Sequence, residues 1–473
     1  MMFWKEFEDS LDTLRNRFGF NEYRGAQKEA LMYLNQGENV LTIMPTGMGK
    51  SLIYQMVALA DQGLVLVISP LIALMKDQVD HAKKIGIRAG FINSSLTMQQ
   101  RQEAYQKLKA QHYQLLFVTP ERFKKQEFLE SLAQAKISLL AIDEAHCISQ
   151  WGHDFRPDYT RIQEFRSFLG DPLTLALTAT ATLAVQDDIV KQLGVSSIQR
   201  LSYGVERPNL NLHCYEVHGI DEKIRTLLML RNQINGPIIV YGALIQTLKK
   251  MSYELSRLGV AHCLYHGQLG DRDRRRNQDR FLKDQVDMII ATPAFGLGVN
   301  KPNVRSVIHV ELPGSIEAYF QEVGRAGRDG KTADNFLLFD PDDISIQMDF
   351  IKWSNPDPGF VKHVYQLIKD YRDRILVEGL EFLRQKMNFY NSRDFRLETT
   401  INLLERWGAI EVLGEKNLRA IAEPESDYLN SELYAARFRK QNENLLKMVQ
   451  LTRAGDDIKP QIYSYFGMHD ESS

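Results

Sequence analysis

Apolar residues fall in short continuous runs more often than in strict alternation. Val40–Met44, Leu64–Ser69, Leu115–Thr119, Ile137–Ile142 and Leu173–Leu177 each have strand length. A run that is apolar at every position predicts a strand buried on both faces, as in a parallel sheet. Ser51–Ala60 and Gln99–Ala110 lie between these runs and predict helices. Strands alternating with helices predict an α/β architecture. The pattern breaks near Arg207-Pro208-Asn209 and then restarts. Pro237–Tyr241, a helix over Gln246–Leu258, Ala261–Tyr265, Met288–Thr292, Val304–Val310 and Asn335–Phe339 form a second α/β unit. The turn-rich Trp353–Gly359 predicts a linker. Phe360–Gly408 predicts helices, and Ala409–Leu413 with Leu418–Ala422 predicts a hairpin. Helices ending in a hairpin predict a small winged-helix-like module. Glu432–Phe466 predicts two further helices. The expected domains are 1–205, 206–350, 351–428 and 429–473.

The 473 residues suit about three domains at roughly 150 residues each. Hydrophobic residues at 44% and charged residues at 25% are ordinary for a globular chain and exclude a disordered or collagen-like one. The net charge of −2 gives no global attraction to polyanions, so a nucleic-acid site has to be a local patch. Cys147, Cys214 and Cys263 are too few and scattered for a disulfide framework, which fits a reducing compartment. The acidic start is not a signal peptide, and the longest apolar stretch, Leu64–Met75, is shorter than the roughly 20 residues a bilayer requires. A soluble cytoplasmic protein is expected, with no membrane partner.

The chemistry concentrates after the apolar strands. Val40–Met44 leads into Pro45-Thr46-Gly47-Met48-Gly49-Lys50-Ser51 and then a helix, which reads as a P-loop. Loop amides and the helix N-terminus cradle phosphate oxygens, and glycine lets the backbone approach closely. Lys50 would supply charge to the β- and γ-phosphates, and Ser51 a hydroxyl for Mg²⁺. Asp143 and Glu144 end the strand Ile137–Ile142. Asp143 is the expected Mg²⁺ ligand, mostly through water, and Glu144 the residue that activates the attacking water. In the second unit, Gln321-Glu322-Val323-Gly324-Arg325-Ala326-Gly327-Arg328 is expected at a helix start, with Arg325 and Arg328 on one helical face. Such arginines stabilise charge developing on a transferred γ-phosphoryl group. A solvated basic face is the alternative.

With these residues assembled, the chain resembles the RecQ family of DNA helicases, in helicase superfamily two, from about Leu14 to Phe339. Gly19-Phe20-Asn-Glu-Tyr23-Arg24-Gly-Ala-Gln27 is similar to the family's adenine-recognition motif. Met44–Ser51 matches its P-loop, whose first position is normally not glycine. Ser69–Gln78, Val118–Arg122, Asp143-Glu-Ala-His146, Leu177–Thr182, Ala291–Gly298 and Gln321–Arg328 follow in the family's order. Cys147–Pro157 resembles its aromatic-rich loop. The resemblance implies two RecA-like parallel-sheet motor domains and ATP-driven, 3′-to-5′ unwinding of DNA in repair, recombination and replication. It implies catalytic roles for Lys50, Asp143, Glu144, Gln321, Arg325 and Arg328. It implies nucleotide contacts from Phe20, Tyr23, Arg24, Gln27, Thr46, Gly47, Met48, Gly49, Lys50 and Ser51. Gln27 would read adenine, and either Tyr23 or Phe20 would supply the aromatic contact. Trp151, His153, Phe155 and Arg156 would sense single-stranded DNA and relay its presence to Glu144. ATP and Mg²⁺ are the expected cofactors. Single-stranded and forked or duplex DNA are the expected partners, a single-strand-binding protein is a candidate partner, and a monomer is expected, nucleoid-associated if the source is bacterial.

Several positions depart from the family pattern. Tyr241 is followed by Gly-Ala-Leu-Ile, without the family's serine and arginine, and Gly298-Val-Asn300-Lys301 lacks the usual aspartate. Glu443–Met448 and Gln461–Gly467 resemble the first helices of the family's four-cysteine zinc module, but no cysteine stands near Asp457. A zinc-free short form is expected, its remnant held by Leu445, Leu446, Met448, Ile462, Tyr465 and Phe466. The His-Cys pairs at 146–147, 213–214 and 262–263 are poor chelates, because adjacent strand residues point to opposite faces. Asp271–Arg280 reads as a solvated helix face, with phosphate contact as the lesser option. An RNA helicase with the same motor, or a non-hydrolysing nucleic-acid clamp, stand as alternatives to a DNA helicase.

Overall fold

The computed structural model describes residues 2–149, 159, 161–204, 206–296, 301–387, 394–413, 417–425, 429–455 and 458–467, with Ala73 by its backbone only. The chain divides into two compact units. The first comprises Met1–Leu312, Glu317–Asp340 and Leu451–Ser473, and the second Pro313–Ile316 and Pro341–Gln450.

The first unit holds two parallel sheets. The first sheet contains β1 (Val40–Ile43), β2 (Leu64–Ile68), β3 (Ala89–Ile92), β4 (Leu115–Val118), β5 (Ile137–Ile142), β6 (Thr174–Thr178) and β7 (Gln199–Ser202). Their spatial order is β3-β4-β2-β5-β6-β1-β7. The second contains β8 (Leu210–Glu216), β9 (Ile238–Tyr241), β10 (Cys263–Tyr265), β11 (Met288–Ala291), β12 (Ser306–His309) and β13 (Ala333–Phe339), in the order β10-β11-β9-β12-β13-β8. These are the expected RecA-like sheets.

The apolar runs explain the layering. In β2, Val65 and Val67 pack into the core on one face, while Leu64, Leu66 and Ile68 pack into the core on the other. In β5, Leu139 and Ala141 face one way and Leu140 and Ile142 the other. Period-two geometry with both faces covered by helices favours apolar residues at most positions. At the edge, β7 alternates half-buried and exposed positions, so it carries no continuous apolar run.

In the second unit, helices Pro358–Asp370, Arg372–Glu378, Leu380–Lys386 and Arg396–Arg406 surround a core that includes Val364, Ile368, Phe382, Leu397 and Leu404. An antiparallel pair, β14 (Ile410–Val412) and β15 (Leu418–Ala420), adds Ile410 and Leu418 to it. The predicted linker at Trp353–Gly359 is shorter than expected. The helix Asp343–Ser354 includes Trp353, and Pro358 already starts the next helix. Asp357 caps that helix by accepting from the Phe360 amide at 2.9 Å, and proline needs no partner for its missing N–H in a first turn. No described helix is long and apolar enough to cross a membrane.

Candidate active site for nucleotide hydrolysis

The loop after β1 turns on Gly47 (φ +91°) and Gly49 (φ +75°) before the helix Lys50–Leu59 begins. A methyl group at Gly49 would stand 2.7 Å from Gln27 Nε2, so the position needs glycine for close approach as well as for its backbone angle. Gln27 is 3% exposed. Its Nε2 donates to the Met48 and Gly49 carbonyls at 3.0 Å, and its Oε1 accepts from the Arg24 amide at 2.8 Å. The structure therefore places Gln27 as a brace beneath the loop. Lys50 Nζ donates to the Met44 carbonyl at 2.9 Å. Burial lowers the proton affinity of Lys50, Glu144 and Asp143 raise it, and Arg328 lowers it again. Ser51 stands in the first turn of the helix beside the Tyr54 hydroxyl.

The two aromatic candidates near the loop differ. Tyr23 donates its hydroxyl to Ser10 Oγ at 2.8 Å and packs 6.1 Å from the Phe7 ring. Phe20 is 43% exposed, with the Arg24 guanidinium 5.4 Å from its ring centre. Phe20 and Arg24 thus offer the accessible planar surface.

β6 lies between β1 and β5, so the P-loop and the Asp143-Glu144 pair stand at the same end of the sheet, on either side of it. The Asp143 amide donates to Ile68 O at 2.9 Å, and Asp143 Oδ1 accepts from the Glu144 amide at 3.1 Å. Burial and the adjacent Glu144 carboxylate push the Asp143 carboxyl up to about 7, with Lys50 opposing. Two carboxylates this close call for a cation. Glu144 sits in the left-handed region (φ +52°), which is uncommon for a residue with a side chain. Its Oε2 accepts no hydrogen bond among the described residues and lies 3.5 Å from His146 Nδ1. His146 Nδ1 is 3.0 Å from Thr178 Oγ1, whose hydroxyl donates to Thr180 O at 3.1 Å. The imidazole nitrogen is therefore the donor, and it ties the turn that follows the strand-end carboxylates to the end of β6.

The arginine half corrects one expectation. Arg325 and Arg328 do not share a helical face. The helix Ile316–Val323 ends before them, and its last turn is closed by three-residue bonds from the Arg325 amide to Glu322 O and from the Ala326 amide to Val323 O. Gly324 follows the helix directly, and Gly327 (φ +57°) turns the chain away, so the helix cannot continue. Gln321 lies in the last turn of the helix. The two arginines take different places. Arg325, 8% exposed, donates to the Gly296 carbonyl within the second sheet's own loops. Arg328 lies against the P-loop, where a methyl at Gly47 would stand 3.4 Å from its Cγ. Burial, Arg325 and Arg207 together push the Arg328 guanidinium down to about 10. Lys50, Arg207, Arg325 and Arg328 thus crowd positive charge around a loop built for phosphate, an arrangement that a polyphosphate would relieve.

Trp151, His153, Phe155 and Arg156 lie outside the described residues, as does the Gly298–Asn300 departure. After Tyr241, Glu311 Oε2 accepts from the Ala243 and Leu244 amides at 2.6 and 2.8 Å. Asp271–Leu282 is a helix carrying exposed Asp271–Arg274 and Asp273–Arg276 pairs, which suits a solvated face. No group of three or more His, Cys, Asp or Glu that could hold a metal occurs among the described residues. Of the residues expected to hold the zinc-module remnant, Leu445, Met448, Ile462 and Phe466 are buried, and Tyr465 donates to Glu317. Leu446 is instead 56% exposed, because its neighbour Leu445 occupies the inward helical position.

Residues 24–189 match the DEAD/DEAH box helicase family, and residues 220–330 match the helicase conserved C-terminal domain. The ATP-dependent DNA helicase RecQ of Bacillus subtilis is 43% identical over 343 residues, covering 72% of this chain and 58% of the relative. That of Haemophilus influenzae is 41% identical over 366 residues, covering 77% and 59%. RecS of Bacillus subtilis, named as a probable ATP-dependent DNA helicase, is 39% identical over 364 residues, covering 76% of this chain and 73% of the relative. The chain belongs to the RecQ helicase family. It spans a little under three fifths of the length of the two RecQ relatives. Among solved structures, Saccharomyces cerevisiae Dbp5 bound to RNA and ADP BeF3 superposes with a TM-score of 0.58 at 19% identity, covering 72% of this chain and 92% of Dbp5. Mycobacterium smegmatis Lhr bound to ssDNA and AMP-PNP gives 0.58 at 18% identity, covering 86% and 60%. These likenesses are of fold: the two parallel sheets recur in both structures.

Sequence reasoning passed over Arg207, which it read only as a break in the pattern, and gave Gly296 no role of its own. An arginine preceding proline at the junction of two α/β units was the available signal for the first. The second lies within the motif Ala291–Gly298, but its role depends on where Arg325 packs.

Proposed function

We propose that this RecQ-family chain hydrolyses ATP to drive 3′-to-5′ unwinding of duplex or forked DNA. The observation that carries the reading is the convergence of the P-loop, the Asp143-Glu144 pair and Arg328 at one place. Lys50 would exchange the Met44 carbonyl for phosphate oxygens. Arg24 and Phe20 would hold the base, with Gln27 bracing the loop beneath and available to adenine through its second Oε1 lone pair. Ser51 and Asp143 would hold Mg²⁺, which when bound supplies charge that stabilises the transferring phosphoryl group. The adjacent Asp143 and Glu144 carboxylates and the unbonded Glu144 Oε2 fit such an ion and a water nucleophile. Glu144 would take the proton of the attacking water. Arg328 would balance charge on the γ-phosphate, and Arg325 would hold the arginine loop to the Gly296 loop.

DNA is the proposed partner, because the relatives that match over most of this chain are named as DNA helicases. Trp151, His153, Phe155 and Arg156 are proposed to couple single-stranded DNA to Glu144. The division into 1–205, 206–350, 351–428 and 429–473, with a winged-helix-like third part, belongs to this proposal, as do a zinc-free monomer, a single-strand-binding partner and a cytoplasmic, nucleoid-associated location. The test is ATPase activity with single-stranded DNA, RNA or forked duplex. Stimulation by DNA well above RNA supports the reading. Equal stimulation by RNA would move it to RNA, since selectivity then fails at the 2′-hydroxyl. No hydrolysis with any of them would leave a nucleic-acid clamp.

A further inference from the structure

Arg207 stands in the segment joining the two sheets and is 9% exposed. Its guanidinium serves carbonyls and one side-chain amide. Nη1 donates to Thr46 O at 3.4 Å and to Gly324 O at 3.3 Å. Nη2 donates to Ala326 O at 2.9 Å and to Gly327 O at 3.0 Å, and Nε to Asn209 Oδ1 at 3.4 Å. Gly324, Ala326 and Gly327 directly follow the helix Ile316–Val323, where carbonyls lack intrahelical partners and the helix dipole is negative. One planar fork thus gathers the loop that carries Arg325 and Arg328 and joins it to the P-loop residue Thr46. Asn209 reinforces it, since its Nδ2 donates to Gly327 O at 2.8 Å and Lys331 O at 2.9 Å.

Arg207 is itself held from outside the sheets. Its backbone amide donates to the Tyr463 hydroxyl at 3.1 Å, and Lys459 Nζ donates to Pro208 O at 3.1 Å. Both residues belong to the helix Ile458–Tyr465. That helix is anchored by the Tyr465 hydroxyl donating to Glu317 Oε1 at 2.5 Å and by Phe466, whose ring lies 5.7 Å from Phe320. A methyl at Gly467 would rest 3.8 Å from Leu183, on the helix Leu183–Leu193 that follows β6. The segment therefore touches both sheets' surroundings at the junction.

We propose that Arg207 is the positioning residue for Arg328, and that the helix Ile458–Tyr465 keeps Arg207 in register. Tyr463, Lys459 and Phe466 link this segment to the sheets. Arg207 spends its donors on four carbonyls and Asn209, so its effect falls on the step at which Arg328 meets developing charge more than on nucleotide binding. The proposal rests on the reading of the site as an ATPase.

The experiment measures DNA-stimulated ATPase kcat and KM, and binding of a fluorescent ATP analogue, for the full chain carrying Arg207→Ala, Arg207→Lys, Tyr463→Phe or Lys50→Ala. An arginine that stabilises a transferring phosphoryl group is worth about 10³–10⁵ in rate, and partial misplacement of Arg328 should cost Arg207→Ala at least about 10-fold in kcat. Analogue binding should stay within about 3-fold of wild type, and guanidinium ion at tens of millimolar should restore turnover by refilling the vacated fork site. Arg207→Lys should fall between, because an ammonium cannot span four carbonyls. Tyr463→Phe should show a smaller kcat loss of the same kind. A wild-type kcat in Arg207→Ala, with Lys50→Ala inactive, overturns the positioning role and leaves the site reading intact. If Arg207→Ala does not fold, wild-type kcat in both Arg207→Lys and Tyr463→Phe overturns it. Undiminished turnover in Lys50→Ala would overturn the site reading itself.

Discussion

The two halves of the site are built differently. The P-loop half is local: Gln27, the loop and Lys50 lie within 24 positions of one another, and Asp143 arrives on a strand of the same sheet. Its glycines, its brace and its lysine contact all join neighbours. The arginine half is assembled from afar. Arg328 meets Gly47 across 281 positions (328 − 47), and the Arg207–Tyr463 bond spans 256. The local half should therefore bind nucleotide whatever the far segments do, while turnover should depend on contacts that the rest of the chain imposes. Binding and catalysis are separable by design of the fold.

The comparison breaks most visibly at Lys50. Lys50→Ala should lose both nucleotide binding and at least about 10³-fold in turnover, since one side chain serves ground and transition states alike. Isothermal titration with ATP alongside steady-state hydrolysis reads both. Arg328→Ala should lose about 10³-fold in kcat while binding persists, whereas Arg325→Ala should lose less, because Arg325 is engaged by the Gly296 carbonyl and not by the P-loop. Equal kcat losses would mean the structure's distinction between the arginines does not carry into catalysis. Glu144→Gln should keep ATP binding and lose about 10²-fold or more in turnover, as expected when a general base is removed but the neighbouring Asp143 is kept. A wild-type rate in that variant would remove Glu144 from its role. Gln27→Ala should mainly raise KM by a few-fold, because two loop carbonyls lose their donor, each bond being worth about 1 kcal/mol. At the small end, prolonged chelation followed by Mg²⁺ repletion should leave activity unchanged; elemental analysis showing one zinc per chain with activity lost on its removal would refute the zinc-free reading.

Much of the local half was legible in the sequence. Near-continuous apolar runs announced buried strands because β2 and β5 pack both faces, and Gly-x-Gly-Lys-Ser after such a run has few other uses. The edge strands of the first sheet were not legible: β7 alternates because solvent covers part of it, and the short Ala89–Ile92 contains a glycine at position 90. The long strand β8 follows the break at Arg207-Pro208-Asn209 and has one fully buried residue, Leu210, so no apolar run marked it. The arginine half was legible as residue types but not as geometry. Spacing of three suggests a shared helical face, yet Gly324 and Gly327 end the helix first. Gln27 was read from a motif as a base contact, while its burial against Met48 and Gly49 depends on a fold that the motif does not describe. Arg207 escaped notice because its partners are backbone carbonyls, which leave no trace in composition or charge pairing.

The central claim is that the two halves form one ATP-hydrolysing site answerable to DNA. It is tested most directly by hydrolysis of Mg–ATP by the full chain, titrated with single-stranded DNA, beside Lys50→Ala and Arg328→Ala. The account predicts a rate that rises severalfold and saturates with DNA in the wild type, with neither variant responding and only Arg328→Ala still binding nucleotide. A wild-type rate that ignores DNA, or an Arg328→Ala rate that rises with DNA as the wild type does, would contradict it.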